Sequence, residues 1–398
     1  KIDAMGNILW DRIVGGNMLD QVWTGTATSD GGVVALGWTG SNDGDVSNWY
    51  GLYDIWMVKL NSEGTIVADK SLGTSSFDWG VAIVETNDGG FLLGGGSGIG
   101  TGGNIICEPY GSDYSDAVLF KLDVDLNIEW QRCYGGTDDD VVSGMLEVED
   151  GYILLIGTYS NDGDVSGWHG GSDIWVVKID FDGNILWQNC LGGSFNESSQ
   201  IIFRLGNDNI MIIGSTESQD GDVVGNHSQS EYSNDIWLVK LNGEGDLLWQ
   251  QCIGGLGNEE TRFGAIKKSD TDFVIAGQFN KGPSFDVGCV PFGLYADMPD
   301  VWLFEVKDTT TFVTDYEAFP ENKLKVYPNP ARDYVLFESK KVPFSGKITI
   351  MDVFGKEVKR LKVKAKKTVW DTREVRSGVY FYRVEIEGET VSGKIVVQ

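Results

Sequence analysis

Proline is scarce in this chain of 398 residues, with 8, and histidine scarcer still, with 2. The first shortage argues against an extended proline-rich linker protein, and the second leaves little material for zinc sites or Ser-His-Asp chemistry. His169 and His227 both stand in long loops, with no Cys or second His at ligand spacing. Basic residues are also few: 31 Lys and Arg against 59 Asp and Glu give a net charge of −28. That charge opposes binding to nucleic acid or to an anionic membrane surface. No apolar run approaches the ~20 residues of a membrane-spanning helix. The motifs of a nucleophile elbow, a phosphate loop and a zincin helix do not occur. Five cysteines, an odd number, give no complete disulfide framework. Cys133, Cys190 and Cys252 each follow a Trp by three residues, so they are expected as separate buried side chains in successive repeats. Cys107 and Cys289 share the context Cys-x-Pro-aromatic-Gly in two long loops.

What the chain has instead is glycine (54), tryptophan (14) and 41% hydrophobic residues, a composition suited to short strands joined by tight turns. An Asp followed by apolar residues recurs at Asp54, Asp116, Asp173, Asp235 and Asp300, every 57 to 65 residues, in the pattern Asp-Ile-Trp-Val-Val-Lys. A strand ending in Trp10, Trp187 or Trp249 follows a Gly-containing turn, the copy ending in Trp130 follows Asp123 to Asn127, and glycine pairs such as Gly192-Gly193 come next. Two further apolar segments complete each copy, separated by turns such as Ser29-Asp30-Gly31-Gly32. Runs of β-branched and aromatic residues bounded by Asp-Gly turns are hairpin signals, and no segment carries a 3.6-residue period. The fold class is therefore all-β: a β-propeller of five four-stranded blades, with a small C-terminal β-sandwich.

In this reading one connection per copy, of 15 to 22 residues, crosses from the outer strand of one blade to the inner strand of the next. The nearly continuous apolar Asp-Ile-Trp strand is the inner or central one. Lys1-Ile2-Asp3 and Gly6-Asn7-Ile8-Leu9-Trp10 repeat Lys178-Ile179-Asp180 and Gly183-Asn184-Ile185-Leu186-Trp187, so the chain starts inside a repeat. Its first strand is expected to pair with the strand from Asp300 and close the ring. Copies upstream of Lys1 would raise the count to six to eight blades.

The repeats occupy residues 1–308, a linker 309–322, and a second module 323–398. From Phe319 onward 17 basic residues face 10 acidic ones, whereas the part before it holds 14 basic and 49 acidic residues. Alternating strands such as Lys347 to Asp352 and Gly378 to Val384 point to a β-sandwich. Val326-Tyr327-Pro328-Asn329-Pro330, Asp352-Val353-Phe354-Gly355-Lys356, Ser377-Gly378-Val379-Tyr380-Phe381 and Gly393-Lys394-Ile395-Val396-Val397-Gln398 follow one another in order at the chain end. This module resembles the C-terminal sorting domain of the type IX secretion system. On that resemblance Pro328, Asn329, Pro330, Asp352, Gly355, Lys356, Ser377, Gly378, Tyr380 and Lys394 form the sorting signal. It implies export through the periplasm, the type IX machinery as a partner, and a destination outside the cell or on its outer surface. The strongly basic stretch from Lys359 to Lys367 departs from the family pattern without displacing it.

Ser41-Asn42-Asp43-Gly44-Asp45-Val46 recurs at Ser160 to Val165 and, with Gln219 in place of Asn, at Ser218 to Val223. Carboxylates two residues apart around a Gly can turn oxygens toward one centre, which makes Asp43, Asp45, Asp162, Asp164, Asp220 and Asp222 candidate Ca²⁺ ligands. The same spacing also suits a turn in which Asp caps its own backbone. Trp49, Trp168 and His169 lie just beyond these turns and are candidate contacts for a glycan or protein. The function read from this set is a non-catalytic binding module. A glycan hydrolase or lyase using loop carboxylates and a purely structural surface protein are the alternatives.

Overall fold

A computed structural model describes residues 1–98, 100–108, 110–111, 114–227, 233–280, 284–287, 300–308, 324–327, 331–332, 334–339, 346–352, 356–363, 367–373, 375–386 and 389–397. They fall into two compact units, Lys1–Asp308 and Thr309–Gln398.

The first unit is a row of antiparallel sheets. Sheet 1 holds β1 (Asp20–Ala27), β2 (Val33–Thr39), β3 (Asp54–Leu60) and β4 (Ile66–Leu72); sheet 2 holds β5 (Asp78–Glu85), β6 (Phe91–Ser97), β7 (Asp116–Leu122) and β8 (Ile128–Tyr134). Sheet 3 holds β9 (Asp140–Val148), β10 (Gly151–Thr158), β11 (Asp173–Ile179) and β12 (Ile185–Leu191). Sheet 4 holds β13 (Glu197–Arg204), β14 (Ile210–Thr216), β15 (Asp235–Leu241) and β16 (Leu247–Ile253). Sheet 5 has three strands, β17 (Glu260–Lys267), β18 (Asp272–Phe279) and β19 (Asp300–Lys307). Within each sheet the strands are ordered as in the sequence.

The strand segments read from the sequence are present, but their grouping corrects the expected one. The long connection does not cross between sheets. It joins the second and third strands, which pair directly: Thr39 lies opposite Asp54, and Thr158 opposite Asp173. Sheets are linked instead by short segments such as Gly73–Phe77 and Gly192–Asn196. The Asp-Ile-Trp strand is third of four, hence central, and its residues are buried almost throughout.

Successive residues of a strand point to opposite faces, and each face enters a different core. Ile55 and Met57 of β3 pack with Phe91 and Leu93 of β6 between sheets 1 and 2. Leu92 and Leu119 meet Leu154 and Trp175 between sheets 2 and 3. Leu155 and Val176 meet Ile212 and Trp237 between sheets 3 and 4, and Ile213 and Leu238 meet Ile275 between sheets 4 and 5. Burying both faces of the central strands is what a run of Val, Ile, Leu and Trp without alternation requires.

The expected pairing of the first strand with β19 is absent among the described residues. Ile8 bridges Ile2 instead, and β19 pairs with β18 alone. Val14 packs on the far face of sheet 1 beside Trp56 and Val58.

In the second unit β20 (Leu324–Tyr327), β21 (Tyr334–Ser339) and β24 (Lys367–Asp371) form one sheet. The other comprises β22 (Gly346–Met351), β23 (Glu357–Val363), β25 (Gly378–Ile386) and β26 (Glu389–Val397). Phe337 and Trp370 of one sheet share a core with Ile350, Val384 and Ile395 of the other, so both inner faces are covered.

Candidate functional site

Because Asp20, Thr39 and Asp54 stand side by side, and Ile55 opposite Leu72, the long loop and the inter-sheet linkers all emerge at one end of each sheet. The other end carries tight turns, as at Thr28–Gly32, where Gly31 has φ +82° and Asp30 Oδ1 accepts the Gly32 N–H at 3.0 Å.

At the loop end the Asp-Gly-Asp turn acts as a clip on the linker entering its own sheet. Asp43 Oδ1 accepts the Asn17 N–H at 2.8 Å, Asp162 Oδ1 that of Thr137 at 2.8 Å, and Asp220 Oδ1 that of Ser194 at 2.8 Å. The second carboxylate takes a glycine: Asp45 Oδ2 accepts the Gly15 N–H at 3.1 Å, and Asp222 Oδ2 that of Gly192 at 3.4 Å. Gly44, Gly163 and Gly221 have φ of +68°, +66° and +65°, where a β-carbon is strained, and a side chain there would also strike the linker. The six carboxylates are thus engaged with backbone donors and neighbouring side chains. Among the described residues no three His, Cys, Asp or Glu side chains are arranged to hold a metal ion. These carboxylates cap a neighbouring segment, about 25 residues away in sequence, instead of their own turn.

Beneath the clips lie buried carboxyls that sequence reasoning missed. The Asp that opens each third strand is 0–1% exposed at Asp54, Asp116, Asp173 and Asp235, and one oxygen of each, Oδ1, has no hydrogen-bond partner. The other oxygen accepts a backbone N–H from the loop, from Tyr50 at 2.6 Å, Tyr110 at 2.7 Å, His169 at 2.8 Å and His227 at 3.0 Å. The next sheet opens with a second buried acid, Asp78, Asp140, Glu197 or Glu259. A β-carbon on Gly192 would collide with both Asp173 Oδ1 and Glu197 Oε2, so two carboxyls flank one glycine. Burial pushes Asp54 and Asp116 up to about 6 and Glu197 to about 7, and like-charge neighbours add to it: Asp78 beside Asp54, Asp140 beside Asp116, Asp173 beside Glu197. At 0–2% exposure these raised carboxyls are sealed from any substrate. The repeating Asp at the start of an apolar strand was the available signal; its read-out as a core residue needed the sheet grouping.

The residue that donates to each buried Asp also reaches the following sheet. Tyr110 Oη donates to Asp164 at 2.8 Å, and Asn104 Nδ2 donates to Tyr50 Oη at 3.3 Å. His169 lies 3.0 Å from Asp173 through Nδ1 and 3.7 Å from Asp222 through Nε2, and His227 lies 2.7 Å from Asp235 and 3.9 Å from Asp286. His169, expected as a ligand contact, is held through Nδ1 by Asp173 of the scaffold, with Asp222 nearby. Trp168 is also committed: it packs on the core between sheets 2 and 3 and donates to Gly171 O at 3.0 Å. Trp49 remains 44% exposed.

Cys107 and Cys133 form a disulfide, which the cysteine arithmetic did not foresee. The long loop stays within sheet 2 and folds over β8, where Cys133 lies; sheet 2 alone has a Cys in both places, and that was the signal. Cys190 and Cys252 are buried free thiols, as expected, and burial pushes Cys190 up to about 12. Cys289 lies outside the described residues. Beside the disulfide is a groove of about 830 Å³ lined by Tyr110, Trp130 and Arg132. Its polar groups are largely spent, Gln131 on Ile106 N and Asn104 O and Arg132 on Asp182 O.

In the second unit Asp352 and Lys356 close the turn from β22 to β23, with Lys356 N–H donating to Asp352 Oδ1 at 2.9 Å. Ser377 precedes β25, which Gly378 opens. Tyr380 stacks edge-on against Trp370 at 5.3 Å and donates to Arg376 O at 2.7 Å. Lys394 lies in β26 opposite Phe381. Pro328, Asn329, Pro330 and Gly355 lie outside the described residues.

Residues 325–398 match the family model of the secretion system C-terminal sorting domain. No curated protein sequence matches the chain. Similar solved structures include PorZ of Porphyromonas gingivalis, an essential bacterial surface component of the type-IX secretion system (12% identity, 95% of this chain and 51% of that one, TM-score 0.27). A glycoside hydrolase of family 32 from Bifidobacterium adolescentis is another (8% identity, 97% and 77%, TM-score 0.32). The extracellular domain of BT4673 from B. thetaiotaomicron is a third (10% identity, 96% and 38%, TM-score 0.31). The chain spans about half the length of PorZ. Likenesses this loose carry neither a fold nor an activity across.

Proposed function

We propose that this chain, whose residues 325–398 are a type IX secretion C-terminal sorting domain, is a non-catalytic binding module displayed on the cell surface or secreted. The sorting domain marks it for export and implies contact with the secretion machinery. The observation that carries the binding reading is the loop end: long loops held on rigid sheets are where recognition surfaces arise, while the carboxyls with raised proton affinity are buried out of reach. A glycan or protein array probed with the full chain should give saturable binding that Trp49→Ala weakens about tenfold, within the range for losing one aromatic anchor. Turnover of a glycan that vanishes in Asp162→Asn or Asp164→Asn would instead favour a hydrolase or lyase, and a blank array a structural protein.

The scaffold of this module is, in our reading, a five-bladed β-propeller closed by the chain's own first strand. Trp10 supports it: its indole N–H donates to Ser62 O at 2.9 Å, in the next sheet's turn, as Trp130 donates to Phe181 O and Trp187 to Gly243 O. Arg12 likewise donates to Gly64 O, as Asn189 does to Gly245 O. In this reading Ile8–Val14, which is not paired with β19 in the structure, would supply the outer strand for the open edge of β19, where Val301 and Leu303 are 66% and 68% exposed. Transferring the β11–β12 register places Arg12 opposite Leu303. The double variant Arg12→Cys with Leu303→Cys should therefore form an intrachain disulfide, seen as faster migration on a non-reducing gel. Only intermolecular cross-links, or none, would count against a closed ring of five.

A further inference from the structure

The charges of the first unit are segregated by end. At the tight-turn end Lys59 pairs with Asp30, Lys121 with Asp88 and Glu129, Lys178 with Asp150, and Lys267 with Asp270, at 2.7–3.1 Å. At the opposite end the long loops and inter-sheet linkers contain no Lys or Arg among the described residues, while carrying Asp43, Asp45, Asp162, Asp164, Asp220 and Asp222. Exposed aromatic rings collect at this acidic end: Trp49, Phe77, Tyr114, Tyr159 and Phe285 are 44–65% exposed. Aromatic side chains are enriched at recognition surfaces. Carboxylates raise the local concentration of cations, and ring faces bind ammonium and guanidinium groups. A neutral glycan could use the rings but would gain nothing from the carboxylates. An anionic glycan, a nucleic acid or an anionic lipid surface would be repelled.

From this charge and ring pattern we propose that the loop end docks a Lys/Arg-rich segment of a partner protein, its side chains lying over the exposed rings between the Asp-Gly-Asp turns. This names the partner class for the binding role above and rests on that role. The carboxylates steer the encounter and make it salt-sensitive, and the rings fix its position.

The test is titration of the full chain with a synthetic dodecapeptide of Lys and Arg, followed by calorimetry, with a Gly/Ser dodecapeptide and a neutral oligosaccharide as comparisons. The basic peptide is expected to bind saturably and to weaken several-fold between 50 and 200 mM salt, roughly as screening predicts. Trp49→Ala with Tyr159→Ala, which changes no charge, should weaken it about tenfold; Phe181→Ala, an exposed ring at the tight-turn end, should not. If the double variant binds as the parent does, the attraction is net charge without a site and the proposal fails. Should the double variant misfold, carbodiimide labelling of the parent decides: the peptide must protect loop-end carboxylates, and uniform protection overturns the proposal. Saturable binding of the neutral oligosaccharide alone would leave the binding role standing and refute the cationic partner. No binding by any probe or array member would remove both.

Discussion

Between pH 8 and pH 5 the first unit is expected to become more stable, by several kcal/mol. Asp54 and Asp116 are raised to about 6 and Glu197 to about 7 in the fold, against ordinary values near 4, so the folded state binds protons that the unfolded chain releases. For carboxyls raised in this way, stability is fully present below the unfolded value and is lost as pH climbs through the folded one, here from about 4 to about 7. The same direction holds at Asp78, Asp140, Asp173 and Asp235. A shift of this size is worth on the order of 2–3 kcal/mol for one carboxyl, part of which returns by pH 5. Asp88, lowered to about 2 by Lys121 and its hydrogen bonds to Thr86 and Gly90, acts oppositely but only below about pH 4. Denaturant unfolding followed by tryptophan fluorescence reads the first unit, which holds 13 of the 14 tryptophans. Asp54→Asn should raise stability at pH 8 by about 1–2 kcal/mol and flatten the pH curve, because an amide keeps the acceptor for Tyr50 N–H without the buried charge. Stability independent of pH from 5 to 8, or a loss on Asp54→Asn at pH 8, would show that the junction carboxyls are ionised and compensated.

Replacing Cys107 with Ser is expected to cost about 3.5 kcal/mol, the loop-closure value for a cross-link spanning 26 residues. Cys133→Ser should cost a similar amount, and the double variant little more, since either change opens the same bridge. Thiol labelling supplies the independent check. In denatured, unreduced protein Cys190 and Cys252 should react and Cys107 and Cys133 should not. Reaction of either of the latter, or additive losses in the double variant, would rule the bridge out.

Much of this architecture was legible in the sequence because its carriers are local. Asp-Ile-Trp-Val-Val marks a strand buried on both faces, and Asp-Gly-Gly marks the turn that follows from a positive φ. The sorting module was legible because its four motifs stand in order within one short stretch. The grouping of strands was not legible. A short turn within a sheet and a short linker between sheets look alike on paper, so sequence length alone points to the long loop as the crossing, whereas it is a wide hairpin.

The candidate site divides the same way. Asp43, Asp162 and Asp220 were visible as a repeated turn, but whether their oxygens face a cation or a neighbouring N–H depends on Asn17, Thr137 and Ser194, some two dozen residues away. Trp168 and Trp49 occupy matching positions after that turn, yet one packs on a core and the other remains exposed. Sequence alone determined which residues become strands, how often the unit recurs and where the exported chain is headed, since each follows from side-chain periodicity or contiguous motifs. Tertiary structure decided which strands share a sheet, which cysteines meet and which carboxyls lose water, because burial and like-charge proximity are made only when separate copies pack against one another.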